Sequence, residues 1–379
     1  MDYTTDVVIV GAGAAGLATA ACLGRLGVRY EILEAGDAPA ASWAASYDAL
    51  HLHTVRQLSG LPFRAMPRSF PRYAARDQLV GYLRGYAERF KILVRSGQRV
   101  TRAVPEGDGW RVETGANVYR CRALVAASGI YANPYSAAYP GMESFPGRIL
   151  HSAAYRNAEP FAGQRVLVVG AGNSGSEIAL DLATRAASVV VAIRQGVNIV
   201  PRDLLGVPIQ RWALLIPRLP GPIRAGISGM LLRRAEVRLR SAGIPKSPVP
   251  VLRMQGIPII GLGIIQAVRA GRIRIAGAIV RFGADGVHFV DGSVQPFDAV
   301  ILATGFRPAL GYLDGLVTLD ERGFPRRDHV RSLDQPGLFF MGFNYGIAGT
   351  LNIIRGDAPI AARQIAAYLR ASAPAGAGA

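Results

Sequence analysis

Three features of the chain predict an α/β architecture built from two Rossmann-like units. A run of β-branched residues, Asp6-Val-Val-Ile-Val10, leads straight into Gly11-Ala-Gly13-Ala-Ala-Gly16. The same order returns at Gln164-Arg-Val-Leu-Val-Val169 followed by Gly170-Ala-Gly172-Asn-Ser-Gly175. Half of the 379 residues are hydrophobic and 18% are charged, enough apolar surface for two cores of ordinary size and without a disorder signature.

In the first unit, an uninterrupted apolar strand suits a parallel sheet covered on both faces. Gly11 permits the tight turn, Gly13 lets the backbone approach a pyrophosphate, and Gly16 lets the helix lie close on the strand. The amides that open the predicted helix Ala14–Leu26, from Ala14 onward, point at phosphate, where the helix dipole favours negative charge. Tyr30-Glu-Ile-Leu-Glu34 is the second strand, and Glu34 falls where an acid accepts ribose hydroxyls. A lone Gly-x-Gly-x-x-Gly carries little weight. Strand, fingerprint, helix, strand and terminal acid together are specific for a dinucleotide.

Aromatic and proline-rich loops follow: Ser42-Trp43, Tyr47-Asp-Ala-Leu50-His51-Leu-His53-Thr54, Leu61-Pro-Phe63 and Phe70-Pro-Arg72-Tyr73. Arg76–Phe90 reads as an amphipathic helix beginning near Asp77, with strands expected around Ile92–Val94, Trp110–Thr114 and Tyr119–Arg122. Ala123-Leu-Val-Ala-Ala-Ser128-Gly129 is a buried strand ending in small residues, where a pyrophosphate can lie close to the backbone. Phe145-Pro-Gly-Arg-Ile-Leu-His151-Ser-Ala-Ala-Tyr155 lies between the fingerprints and, on its residues alone, is a linker carrying one histidine and some aromatics.

The second unit repeats the logic with Gly170, Gly172, Asn173, Ser174 and Gly175, a helix over Ser176–Arg185 and a strand over Ser188–Ile193. That strand ends in Arg194 where an NAD-specific site places an acid; a guanidinium suits a 2′-phosphate and favours NADPH. From Leu204 to Leu239, the residues Trp212, Leu214, Leu215, Ile216, Met230, Leu231 and Leu232 alternate with arginines. A packed helical insertion is expected there, the alternatives being a face that touches a membrane or one that lines the substrate access. Val287–Ser293 reads as a hairpin and Phe297–Leu302 as the last fully buried strand, with Leu338-Phe-Phe-Met-Gly342-Phe-Asn344 beyond it. A closing helix is expected over Pro359–Arg370 with Asp357 as N-cap, and Ala371–Ala379 as a disordered tail.

The formal charge of +17 suggests nucleic acid, but only Lys91 and Lys246 are lysines, and the arginines are scattered without a run of five basic residues. The excess reads as composition bias plus affinity for anionic cofactors, with no nucleic-acid partner. Cys22 and Cys121 are far apart in apolar contexts, as expected for buried thiols in a reducing compartment and not for a redox pair. The N-terminus has no basic leader, and the glycine spacing within Val7–Gly24 marks a strand and helix, so a cytoplasmic protein without a membrane span is expected. Neither a nucleophile triad nor metal-ligand spacing occurs, and no metal is expected.

The spacing Phe-x-Gly-x-x-x-His-x-x-x-Tyr over 145–155 resembles the signature of the flavin-containing monooxygenases, the class B flavoproteins that activate O2 with FAD and NADPH. Trp43 with Tyr47-Asp-Ala-Leu50-His51-Leu-His53, the proline-rich loop and the 251–305 segment are similar to the YUCCA-type indole-3-pyruvate monooxygenases and their bacterial relatives. Ala303-Thr304-Gly305-Phe306 resembles the Ala-Thr-Gly-aromatic element of flavin monooxygenases. The resemblance covers nearly the whole chain.

It implies a two-dinucleotide-binding-domain flavoprotein whose NADPH domain is inserted in its FAD domain. The first FAD part spans 1–157, the NADPH domain 158–296 with the insertion at about 204–245, and the second FAD part with its tail 297–379. FAD then falls to Gly11, Gly13, Ala14, Gly16, Glu34, Trp43, Gly129, Thr304, Gly305 and Gly342, and NADPH to Gly170, Gly172, Asn173, Ser174, Gly175 and Arg194. His151 and Tyr155 would orient NADP⁺ and couple domain motion to catalysis. His53 stands where mammalian-type members carry an asparagine that holds the flavin hydroperoxide, so that role is not carried over; for Trp43, Tyr47 and His51, core or flavin-edge packing competes with a direct role.

The implied reaction is reduction of FAD by NADPH, addition of O2 at C4a, and transfer of one oxygen from the resulting (hydro)peroxide. The YUCCA likeness suggests oxidative decarboxylation of an aromatic 2-oxo acid such as indole-3-pyruvate, with Arg56 or Arg72 pairing its carboxylate. Oxygenation of a soft nitrogen or sulfur is the alternative, in a secondary-metabolite pathway for example. Tyr155 stands where Baeyer–Villiger enzymes usually carry tryptophan, which argues against ester formation. A non-oxygenating FAD oxidoreductase or sensor is the reading from another class, and a homodimer is carried as an expectation of assembly.

Overall fold

The computed structural model describes residues 1–221, 226–227, 229, 241–249, 258–346 and 348–372. Met230, Leu231 and Leu232, and the tail from residue 373, lie outside them. The chain forms two compact units: Met1–Ala45, Thr54–Asn133 and Phe306–Ala379 in one, Ser46–His53 and Pro134–Gly305 in the other.

The first unit holds a nine-stranded sheet. Val94–Arg95, Tyr30–Leu33, Asp2–Val10, Val118–Ala126 and Leu338–Phe340 run parallel in that spatial order. Arg331–Ser332 and Arg327–Asp328 add an antiparallel edge. Tyr119–Arg122 and Ala123–Gly129, expected as separate strands, are one strand that ends at Ala126. Its first half alternates half-buried and buried residues where it pairs with the antiparallel strand Gly109–Thr114, and its second half is continuously buried between parallel neighbours. One chain segment thus carries both sheet signatures. The helices Ala14–Arg25 and Arg76–Arg89 follow the expectation closely.

The second unit has a five-stranded, all-parallel sheet in the order Arg274–Ala276, Ser188–Ala192, Arg165–Val169, Ala299–Leu302 and Arg148–His151. The compact units divide at other places than the expected 157/158 and 296/297. Both the signature strand Arg148–His151 and Ala299–Leu302 extend this sheet, so the compact unit runs from Pro134 to Gly305. It also takes in Ser46–His53, expected with the first domain. The described part of the insertion includes a short hairpin, Asp203–Leu204 with Val207–Pro208, and the helix Ile209–Leu215, where Trp212 Nε1 donates to Leu204 O at 3.2 Å.

The closing helix is Thr350–Ala371, with Pro359 inside it. Asp357 is therefore no N-cap. Its buried carboxylate accepts from Asn344 Nδ2 at 2.7 Å and lies 3.0 Å from His329 Nε2. No helix of the described residues is long and apolar enough to cross a membrane.

Candidate active site

Each fingerprint builds a cradle within its own unit. Gly11 has φ +106°, and a Cβ there would stand 2.6 Å from Ala127 O; one on Gly16 would collide with the Gly11 carbonyl. A Cβ on Gly13 would meet nothing within 4 Å. The residue that borders the phosphate side is thus the one with open space before it, at the start of the helix Ala14–Arg25. Glu34 is fixed by accepting from Ala12 N at 2.7 Å and Gly36 N at 2.8 Å, which holds a carboxylate at the strand end. Gly342 (φ +85°) lies against this helix, a Cβ there falling 2.9 Å from Ala15 Cβ. Gly129 (φ +68°) faces open space. Trp43 lies 5.7 Å from Tyr131, which lies 5.2 Å from Phe306, so three aromatic rings from separate segments meet in this unit. These features fit FAD.

The second cradle repeats the device. Gly170 has φ +99° and would meet Ala303 O at 2.7 Å, Gly175 would collide with the Gly170 carbonyl, and Gly172 faces open space. Asn173, expected at the nucleotide, uses its side chain otherwise: Nδ2 donates to Pro258 O (3.1 Å) and Oδ1 accepts from Ile260 N (2.8 Å). Ser174 is half-buried in the first turn. Arg194 is exposed two residues past the strand Ser188–Ala192. An open pyrophosphate position with an exposed guanidinium fits NADPH.

His151 is held through both ring nitrogens. Nδ1 accepts from Ala153 N at 3.0 Å, so Nε2 carries the proton and donates to Gly305 O at 3.0 Å. Burial lowers its pKa and the Gly305 bond opposes this. The signature histidine therefore braces the Thr304-Gly305 turn, where Thr304 Oγ1 also donates to Tyr135 O. Tyr155, expected at NADP⁺, is only 1% exposed, stacks on Phe161, and donates to Asp181 Oδ2 at 2.6 Å. Its phenol is a core anchor whose pKa burial raises, so it stays protonated.

Tyr47 and His53 converge on Glu177, a residue that no motif of the sequence singles out. Tyr47 donates to Glu177 Oε2 at 2.6 Å, while Glu177 Oε1 lies 3.6 Å from Arg202 Nη2 and 3.7 Å from His53 Nε2. Burial raises the Glu177 pKa, opposed by the Tyr47 bond, Arg202 and His51. Burial first, and Arg202 second, push His53 down to about 4. His53 is neutral at pH 7, so its contact with Glu177 is not an ion pair. Glu177 and Asp181 are four residues apart on one helix, hence on one face, and each anchors a tyrosine. That i, i+4 carboxylate pair just after a fingerprint was the available signal.

Similarity to known proteins matches this geometry. A family profile described as pyridine nucleotide-disulphide oxidoreductase matches residues 8–202. Indole-3-pyruvate monooxygenase YUCCA1 of Oryza sativa subsp. japonica is 36% identical over 317 residues, covering 80% of this chain and 77% of the relative. YUCCA4 of the same plant, also an indole-3-pyruvate monooxygenase, is 35% identical over 92% of this chain and 86% of its own. A variant of the flavin monooxygenase of Stenotrophomonas maltophilia superposes with a TM-score of 0.76 at 30% identity, covering 97% and 99% of the two chains. Dithiol chemistry, which the profile's description evokes, is not supported by Cys22 and Cys121: both are buried, unpaired thiols pushed up to about 11 and about 12, with burial the main cause. The chain belongs to that two-nucleotide family by scaffold and, within it, to the flavin monooxygenase superfamily: it is an FAD-dependent monooxygenase that draws on NADPH.

Proposed function

We propose that this monooxygenase converts an aromatic 2-oxo acid, of which indole-3-pyruvate is the model case, into the carboxylic acid one carbon shorter. One 2-oxo acid, one O2, one NADPH and one proton give the shortened acid, carbon dioxide, water and NADP⁺. The observation that carries the substrate is the similarity to indole-3-pyruvate monooxygenases over most of the chain, including a Tyr47–His53 segment that here is built into a polar cluster on Glu177.

FAD, reduced by NADPH, supplies the oxygen-activating chemistry. The chain supplies binding, orientation and exclusion of water. In this reading Gly13 and Glu34 border the FAD, and Gly172 and Arg194 the NADPH. Through Gly305, His151 keeps the turn after Ala299–Leu302 in register. The substrate carboxylate calls for a cation, and the residue type assigned to it is arginine. Arg56, half-buried with Nη1 donating to Phe70 O at 2.9 Å, and Arg72, whose carbonyl accepts from Arg56 N, are the two assigned to it.

The test uses labelled O2 with NADPH and indole-3-pyruvate. One labelled oxygen in the indole-3-acetate carboxyl group, with carbon dioxide released in step with NADPH oxidised, supports the reading. Production of hydrogen peroxide alone with this acid, but oxygenated product with an amine or thioether, replaces it with nitrogen or sulfur oxygenation.

A further inference from the structure

The Glu177 cluster has an asymmetry. Its carboxylate accepts a hydrogen bond from the Tyr47 hydroxyl at 2.6 Å, and the Arg202 guanidinium and the His53 ring lie nearby at 3.6 Å and 3.7 Å. The Glu177 side chain is 17% exposed, so the field it casts is little screened by water. On the other edge of the same ring, His53 Nδ1 is buried without a hydrogen-bond partner. A buried polar atom without a protein partner calls for an explanation, and a site for a ligand's hydrogen-bonding group is one. His51, nearby in sequence, has its own Nδ1 at 2.9 Å from Ala49 O.

A neutral imidazole carries one proton and two candidate positions for it. A carboxylate 3.7 Å from Nε2 lowers the energy of the form with N–H facing it and raises that of the form with a lone pair there. We propose that Glu177 is a positioning residue for His53: it holds the imidazole as the Nε2–H tautomer and so leaves Nδ1 as an acceptor for an O–H or N–H group of a bound molecule. The ligand group so selected is a neutral donor, because a lone pair at Nδ1 repels an oxyanion. Tyr47 and Arg202 in turn hold the carboxylate in place. This rests on the reading of His53 as part of the active site, and adds which hydrogen-bonding character it presents there.

Nitrogen NMR of the histidine-labelled, FAD-loaded enzyme at neutral pH, without NADPH or substrate, reads the tautomer directly. The chain has five histidines, and loss of one signal pair in His53→Asn assigns the residue. The wild-type ring is expected to favour Nε2–H over Nδ1–H by about tenfold or more. Glu177→Leu should cut that preference to within about threefold, and Glu177→Asp should restore most of it. A wild-type ring in the Nδ1–H form, or a Glu177→Leu ring that keeps its Nε2–H preference, overturns the proposal. Should Glu177→Leu fail to fold, Glu177→Gln, which also lacks the negative charge, takes its place with the same expected drop. Because no turnover is involved, an enzyme that proves to oxygenate some other substrate can still show the tautomer, and the two readings fail separately.

Discussion

The two glycine fingerprints share one backbone design and differ in what surrounds it. In both, the first glycine sits at positive φ beneath a carbonyl of a neighbouring strand, the third is packed on the first, and the middle one faces open space. The helices then diverge. Ala14–Arg25 is buried at ten positions and carries no acid along its length, whereas Asn173–Leu182 carries Glu177 and Asp181, each accepting from a buried tyrosine. The strands that follow end in opposite charges, Glu34 tied to backbone amides and Arg194 exposed. The backbone sets that a pyrophosphate binds. In the reading proposed above the side chains choose the nucleotide, and the second helix also fastens Tyr47 and Tyr155 through its two carboxylates.

The largest effect that separates the two comes from filling the open spaces. Gly13→Val should lower FAD affinity by about ten- to a hundredfold, the range for an overpacked site, and give a poorly coloured protein. Gly172→Val should leave the flavin spectrum and the melting temperature as in the wild type while raising KM for NADPH by a similar factor. Equal loss of FAD in both would mean that the two cradles are not assigned as described.

Packing glycines should act on stability instead. Gly175→Ala drives a Cβ into the Gly170 carbonyl and should cost about 1–3 kcal/mol, read as a lower denaturation midpoint, whereas Gly172→Ala should be close to neutral. Similar midpoints for both would break the claim that one glycine is there for packing and the other for the ligand. The charge at the strand end comes next. Arg194→Glu should raise KM for NADPH by about ten- to a hundredfold, as expected for losing a charged hydrogen bond, and leave that for NADH nearly unchanged. An unaltered NADPH to NADH preference removes Arg194 from the site.

The backbone half of this comparison is legible in the sequence because glycine has a steric meaning that needs no partner. Spacing alone assigns Gly11, Gly16, Gly170 and Gly175, together with the strands feeding them. The side-chain half is not legible in that way, since it depends on which distant segments return. Nothing local says that Tyr47 and Tyr155 end on carboxylates of the second helix, or that Asn173 ties down Ile260. The limits of the compact units are hidden for the same reason. Arg148–His151 reads as a linker alone and becomes a strand only by pairing with Ala299–Leu302. Asp357 before Pro359 imitates a helix start, yet the helix begins seven residues earlier and the carboxylate serves Asn344.

The last contrast concerns acid. The histidines whose pKa burial lowers, His53 and His151, both belong to the second unit, so acid lability should concentrate there. His53 protonates near its usual value of 6.5 in the unfolded chain and at about 4 in the folded one. Between those values the unfolded state binds more protons, so stability falls as the pH drops through the window and the loss levels off below about 4. The full loss is at most about 3 kcal/mol. Glu177 opposes it: its raised pKa makes stability fall as the pH rises through the carboxyl range. His53→Asn removes only the histidine part, leaving His151 and Glu177 in both proteins. The wild type should therefore lose melting temperature relative to His53→Asn on going from pH 7 to about pH 5, and the difference between them should be flat above pH 7. A difference that stays constant down to pH 5 would mean that His53 is not held neutral beside Arg202, and the contrast between an apolar first helix and a polar second one would lose its titratable part.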